Sequence, residues 1–201
     1  PISVKTRIGY NKNEIETWIR GLLEQDIAVL TVHLRTRKEM SDVPAHWDMM
    51  KRIVEIRDEL GKDTLIFGNG DATDLKDGEQ KVKDTGCDGI MFGRAIFGNP
   101  WLFSTSPNFS SAPLVDTDLS FGKTGTSSEV NLKEKLRVMV EHTKLFETEL
   151  VKYKNFAIMK KHYKAYVNGF DGAKELRMKL MEAENALQVE EMVNDFLTRL
   201  G

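Results

Sequence analysis

The stretch that most constrains the fold runs from Thr64 to Phe103, TLIFGNGDATDLKDGEQKVKDTGCDGIMFGRAIFGNPWLF. Two short apolar runs, Leu65-Ile66-Phe67 and Ile90-Met91-Phe92, are bounded by turn residues, as strands buried in a parallel sheet are. Each leads into a small-residue turn carrying a polar group: Gly68-Asn69-Gly70-Asp71 after the first and Gly93-Arg94 after the second. A helix lies between them, with Thr73 as its expected cap and Val82 as its clearest buried position. Successive strands whose carboxyl ends offer free backbone N–H groups and one arginine make a cup suited to a phosphate.

The chain upstream repeats this unit. Ile2 to Val4 opens a strand, followed by Lys5-Thr6-Arg7 and a turn at Gly9. Lys5 and Arg7 are two apart, so in extended backbone they project to one side; the spacing suits a solvated strand end as well as a site. Asn13 is placed to cap the next helix, with Glu14 and Glu16 in its first turn. Ile15, Trp18, Ile19 and Leu22 mark the inner face of that helix. Ile27 to Val32 is the second strand, and His33 falls at its exit, where Lys5, Asn69 and Arg94 fall in their own units. The polar, basic segment Leu34 to His46 follows. Trp47 to Leu60 is a helix with Met50, Ile53, Val54 and Arg57 inward, stopped by Gly61.

Strand and helix alternate through four units, which argues for a parallel sheet with right-handed crossovers. In a (β/α)8 barrel the site lies at the carboxyl face, and phosphate is often held by the loops after strands 7 and 8. If the GNGD and GRA turns are those loops, residues 1–103 are strands 5 to 8, the C-terminal half of a TIM barrel. A whole barrel takes ~250 residues, more than a 201-residue chain supplies beside its different C-terminal region. The expectation is the downstream part of a longer protein.

Residues 104–128 are rich in Ser, Thr, Pro and Gly and are expected to be a linker. Residues 129–201 are expected to be a small all-α bundle. Asn131-x-x-Glu134 is a capping-box pattern, and Leu132, Leu136, Met139, Thr143, Phe146 and Leu150 follow at helical spacing. Further helices are expected over 153–168 and 173–181, and a last one carries Val189, Met192, Val193, Phe196, Leu197 and Leu200. Lys152, Lys154, Lys160, Lys161, His162 and Lys164 crowd the second helix, with Tyr153, Tyr163 and Tyr166 interleaved. A solvated charged face is the common account of such a helix, and a phosphate-contacting face is the other.

Composition narrows the classes. With 40% hydrophobic and 30% charged residues the chain is globular, and a formal net charge of −2 does not announce a nucleic-acid partner. The single cysteine, Cys87, excludes an internal disulfide and fits a reducing cytoplasm. No apolar run approaches ~18 residues, and no metal site is assigned.

Taken together, PISVKTRIGY, LTVHLRTR, AHWD, FGNGD, TGCDGIMFGRAIFGNPWLF and MKKHYKAYVNGFDGAKELR resemble the tRNA-dihydrouridine synthases, with the bacterial B-type subfamily nearest. The motifs stand in the family's order and cover the chain apart from residues 104–128. The resemblance implies an FMN-binding TIM barrel, a helical tRNA-binding domain, and reduction of the C5–C6 bond of uridine in tRNA by FMN that NADPH reduces. It implies that Lys5 meets the flavin N1/O2 edge, where a cation stabilises reduced flavin. Arg7 then lies beside the uracil and His33 contacts the flavin. Asn69, Gly70, Asp71, Gly93 and Arg94 hold the phosphate and ribityl chain, and Arg35, Arg37, Lys160, Lys161 and His162 contact tRNA.

Two departures accompany the resemblance. Leu34 stands where the family has glycine after the histidine, a residue that permits unusual backbone angles. The family's catalytic cysteine, in an Asn-x-Gly-Cys-Pro loop, has no counterpart here; Cys87 matches another position and is expected to be a small core residue. The chain alone is therefore expected to be inactive and to need the missing N-terminal half-barrel. The competing readings are another FMN-dependent barrel oxidoreductase, and a catalytically silent RNA-binding remnant.

Overall fold

The structure, a computed structural model, describes residues 1–103 and 127–200, with side chains described outside 127–131. Most of the expected linker, residues 104–126, lies outside the described residues. Among the described residues, 1–96 with 101–103 form one compact unit, and 97–100 with 127–200 form a second.

The first unit is a four-stranded sheet of order β1-β2-β3-β4: β1 Ser3–Arg7, β2 Val29–His33, β3 Leu65–Asn69 and β4 Gly89–Met91. All three pairings are parallel. The β1–β2 connection holds a π-helical turn, Ile15–Ile19, running into α1, Arg20–Leu23. The β2–β3 connection holds a 3-10 turn, Trp47–Met49, running into α2, Met50–Glu59. The β3–β4 connection is α3, Leu75–Thr85. Strand and helix in strict alternation form the repeat from which a (β/α)8 barrel is built.

One face of this sheet is packed. Leu30, Val32 and Ile66 are fully buried with Ile15, Ile19 and Leu23 of the first connection and Met50, Ile53 and Ile56 of α2. Each such side chain contributes roughly 1.5–3 kcal/mol, whereas an exposed ion pair gives about 0–1. Apolar packing therefore holds the helices on the sheet, and the surface network of Arg52 with Glu16, Glu55 and Glu59 is secondary. Cys87, 2% exposed, belongs to the same core, as expected of a small hydrophobe.

Several local expectations are corrected. Trp18 is 49% exposed and Leu23, rather than Leu22, is fully buried, because the π-helical turn adds a residue and rotates the face. Leu65 and Met91 are exposed, so β3 and β4 are packed on one face rather than two. Asp74, rather than Thr73, caps α3, accepting from the Asp77 N–H at 2.9 Å, while Asp77 accepts from the Thr73 N–H at 3.0 Å. Val82 is only partly buried, and Gly78 and Thr85 are the buried residues of that helix. Glu14, rather than Asn13, holds the cap position of the first connection and makes no side-chain capping bond; Asn13 stands one residue earlier, its Oδ1 accepting from the Ile15 N–H at 2.9 Å.

The second unit contains α4 Ser127–Leu150, α5 Met159–Tyr166, α6 Ala173–Leu180 and α7 Ala186–Leu200. Leu136, Met139, Phe146, Met159, Tyr163, Leu176, Leu180, Val189 and Val193 form its core. Helix α4 begins four residues before Asn131, so that residue is interior rather than a cap. Leu150 and Leu200 are exposed, each at a helix end where the apolar stripe runs out. Among the described residues, no helix is long and apolar enough to cross a membrane.

Candidate active site

Register decides which side chains share the remaining face of the sheet. Lys5 pairs with Thr31 and Thr31 with Phe67; one row further on, Arg7 pairs with His33, His33 with Asn69, and Asn69 with Met91. Registered residues of neighbouring strands point to the same side. Lys5, Arg7, His33 and Asn69 therefore lie together at the carboxyl ends of β1, β2 and β3, on the face opposite the helical core. Asn69 joins β4 to this group, its Nδ2 donating to the Met91 carbonyl at 2.7 Å.

The GNGD turn is locked from two sides. Gly70 has φ +126°, and a Cβ there would lie 2.8 Å from Ala45 Cβ and 3.1 Å from His33 Cδ2. Glycine is the residue that fits both the backbone angle and the close approach. Its carbonyl accepts from the Trp47 indole at 2.9 Å, and the same indole sits where a Gly68 side chain would be. Asp71 follows in the left-handed region, φ 53°. Its Oδ2 accepts from Arg35 Nη2 and, at 2.8 Å, from the Ala45 N–H. Its Oδ1 accepts from Arg94 Nη2 at 2.6 Å. Burial opposes ionisation of Asp71, yet the hydrogen bonds from Arg35 and Ala45 and the charges of Arg35 and Arg94 hold it below the usual carboxylate range.

The segment after β2 is similarly fixed. Thr36 and Glu39 form a reciprocal capping box: the Thr36 N–H donates to Glu39 Oε2 at 2.7 Å, and the Glu39 N–H donates to Thr36 Oγ1 at 3.2 Å. His46 Nε2 lies 2.9 Å from Glu39 Oε1. The Thr36 N–H, the His46 contact and the Thr36 hydroxyl overcome desolvation and hold the Glu39 carboxyl at about 2. Arg7 Nη1 donates to the Thr36 carbonyl at 2.8 Å, so Arg7 braces this loop while standing in the site row. Leu34 is fully buried and is not among the positive-φ residues. The loop thus takes a side chain there without strain and gains a core contact.

Arg35 changes place. Expected at a tRNA surface, it is 3% exposed, and it donates to the Val43 carbonyl at 2.6 Å as well as to Asp71. A guanidinium so enclosed does not reach a phosphate, and its reach into the GNGD turn is invisible without the fold. Arg37 is exposed, with its backbone N–H on the Gly9 carbonyl at 2.9 Å. Arg94 keeps 68% of its side chain exposed beside its partner Asp71. Gly93 leaves open space apart from Asn69 Nδ2 at 4.0 Å.

The field of the site is cationic. His33 is held at about 4, first by burial and then by the charges of Arg7, Lys5 and Arg35, with Asp71 opposing. Burial and then Arg7 lower the Lys5 ammonium. Such a row attracts an anion or stabilises negative charge as it forms. Among the described residues no group of three or more His, Cys, Asp or Glu side chains is placed to hold a metal.

In the second unit, Lys161 and Lys164 are exposed on α5 and Lys160 is half-buried. The His162 ring packs edge-on to Phe97 at 5.4 Å and His142 at 5.1 Å. Tyr163 and Tyr166 are buried core residues and Tyr153 is 79% exposed, so of the three interleaved tyrosines Tyr153 alone faces out. Sequence reasoning did not single out Thr36, Glu39, His46 and Trp47 as shapers of the site. The Thr-x-x-Glu spacing signalled the cap, but Trp47 needed the tertiary contact.

A parallel sheet with crossover helices, and with a cationic row and glycine turns at its carboxyl edge, places the chain among the α/β proteins, whose ligand sites lie at that edge. Residues 1–200 match the family described as dihydrouridine synthase, and the chain belongs to it. It is 38% identical over 202 residues to a probable tRNA-dihydrouridine synthase of Staphylococcus epidermidis, covering 100% of this chain and 56% of that protein. It is 37% identical over 198 residues to one from Staphylococcus aureus strain MRSA252, covering 98% and 54%. Identity to probable tRNA-dihydrouridine synthase 2 of Bacillus subtilis is 38% over 199 residues, covering 98% and 55%. The chain spans about half the length of these curated relatives.

Proposed function

We propose that this chain is the C-terminal half-barrel and helical tRNA-binding domain of an FMN-dependent enzyme that reduces uridine in tRNA to dihydrouridine, with NADPH as reductant. The observation that carries this reading is the family match over residues 1–200. The site row supports it, because the residues at the carboxyl edge fit the cofactor. Gly70, Asp71, Gly93 and Arg94 line an edge where a phosphate would meet an exposed guanidinium and uncluttered backbone. Lys5, which makes no hydrogen bond or ion pair among the described residues, has an ammonium to offer the flavin ring, and His33 stands one row beyond it. Bound FMN supplies the hydride chemistry. This chain's part is to bind the cofactor, to hold positive charge where negative charge develops, and to steady the loop beside the uracil through Arg7.

The proton for uridine is assigned to the rest of the protein. Cys87, 2% exposed, sits in the helical core with its Sγ 3.5 Å from the Gly89 carbonyl and away from the row. Lys160 and Lys161 are assigned to tRNA phosphates, which provide affinity rather than base reading, with His162 and Arg37 nearby in role. The uridine leaves its stack to reach the flavin. The decisive experiment takes the whole protein with its N-terminal portion and measures NADPH-dependent dihydrouridine formation on unmodified tRNA. Formation of dihydrouridine that Lys5→Ala reduces by at least tenfold is expected. FMN retention without tRNA reduction would favour another flavin oxidoreductase, and tRNA binding without FMN a silent RNA-binding module.

A further inference from the structure

We propose that Arg35 is a positioning residue that fixes His33 as the Nδ1–H tautomer, so that His33 faces the site as a hydrogen-bond donor. Arg35 Nη1 lies 3.3 Å from His33 Nε2. A guanidinium has donors only, so the contact requires a bare, accepting Nε2, and the ring proton then resides on Nδ1. An Nε2–H ring would set two N–H donors against each other beside a buried cation.

The surroundings make this arrangement rigid. Arg35 cannot swing away, being 3% exposed and tied to the Val43 carbonyl and to Asp71. The Cδ2–Nε2 edge of the ring lies beside Gly70, where a Cβ would fall 3.1 Å from Cδ2 and 3.3 Å from Nε2, so this edge faces the GNGD turn. Nδ1 is on the opposite side of the ring, and among the described residues it has no hydrogen-bond partner. Burial first, and then the charges of Arg7, Lys5 and Arg35 against that of Asp71, keep the imidazole neutral, which the tautomer requires. A neutral donor beside a flavin recognises an acceptor atom without adding a charge or exchanging a proton. That last role rests on the flavin reading given above; the tautomer does not.

The test is ring-nitrogen NMR on the 15N-labelled whole protein, with its N-terminal portion, at neutral pH. A protonated, pyrrole-type Nδ1 and a bare, pyridine-type Nε2 are expected for His33. Arg35→Gln should raise the Nε2–H form from undetectable to a share comparable with the other tautomer. Asp71→Asn, which keeps Arg35, should leave the tautomer unchanged. A wild-type His33 carrying its proton on Nε2 overturns the proposal whether or not either variant folds, and so does a folded Arg35→Gln protein with an unaltered ring. Addition of FMN separates the two claims. An Nδ1–H signal that shifts supports both, and one that stays fixed on saturation with FMN leaves the tautomer standing and removes His33 from the flavin.

Discussion

Asp71 and Arg94, which follow β3 and β4 respectively, are joined at 2.6 Å across the carboxyl edge of the sheet. The same carboxylate binds buried Arg35 on its other oxygen. One side chain therefore couples the interior of the β2 loop to an exposed cation of the site. Replacing Asp71 with Ala removes the brace from Arg94 and strands Arg35. Because Asp71 is itself about a third exposed, the expected loss of stability is about 2 kcal/mol, below the range for fully buried pairs. FMN affinity of the whole protein should fall about tenfold, the worth of one charge-assisted hydrogen bond. Chemical denaturation and flavin-fluorescence titration measure the two effects; unchanged flavin affinity would detach the phosphate from Arg94.

Gly70→Ala tests the lock of the GNGD turn. The backbone angle and the clash with Ala45 and His33 act together, and about 2–3 kcal/mol of destabilisation is expected. Gly93→Ala, with open space around it, should cost less than 1 kcal/mol. Equal losses for the two would contradict the geometry.

His33 gives the stability curve a defined acid limb. Its folded value, about 4, lies below the ordinary 6.5, so the unfolded chain binds the extra proton between these values. The His33 contribution to stability is complete above 6.5 and is lost as pH drops toward 4. His33→Asn should flatten that window in denaturation measured pH by pH. Glu39, held at about 2, acts in a lower window: its contribution is present above 4.5 and lost as pH falls through about 2. Thr36→Ala, which removes half of the capping box, should cost about 1 kcal/mol.

The Lys160→Ala, Lys161→Ala double variant should bind tRNA more weakly by a similar factor across sequences. The slope of log K against log salt should shrink by about 1.5 to 2, as expected for two lost phosphate contacts. An unchanged slope would move the tRNA contact off α5.

Cys87→Ala should cost about 1 kcal/mol, the loss of a small buried group, and should leave tRNA reduction by the whole protein intact. Loss of turnover with retained fold and flavin would refute its placement as a core residue.

The alternation of short apolar runs with helical periods determined by itself that β1 to β4 are parallel strands joined by helices. Residue type at the strand exits singled out Lys5, Arg7, His33, Asn69 and Arg94, because polar groups at the ends of apolar strands have few reasons to be there. Spacing along the chain stops short of contacts between segments. Arg35 looked like a surface cation because its partner Asp71 lies 36 residues away. Trp18 was expected to be inward because a π-helical turn follows from packing, not from the 3.6-residue period. Trp47 and Gly70 became part of one lock only when the two loops met. Local hydrophobic pattern set the elements, and tertiary structure alone decided which charges are spent inside the protein and which remain for a ligand, since burial and ion pairing depend on neighbours distant in sequence.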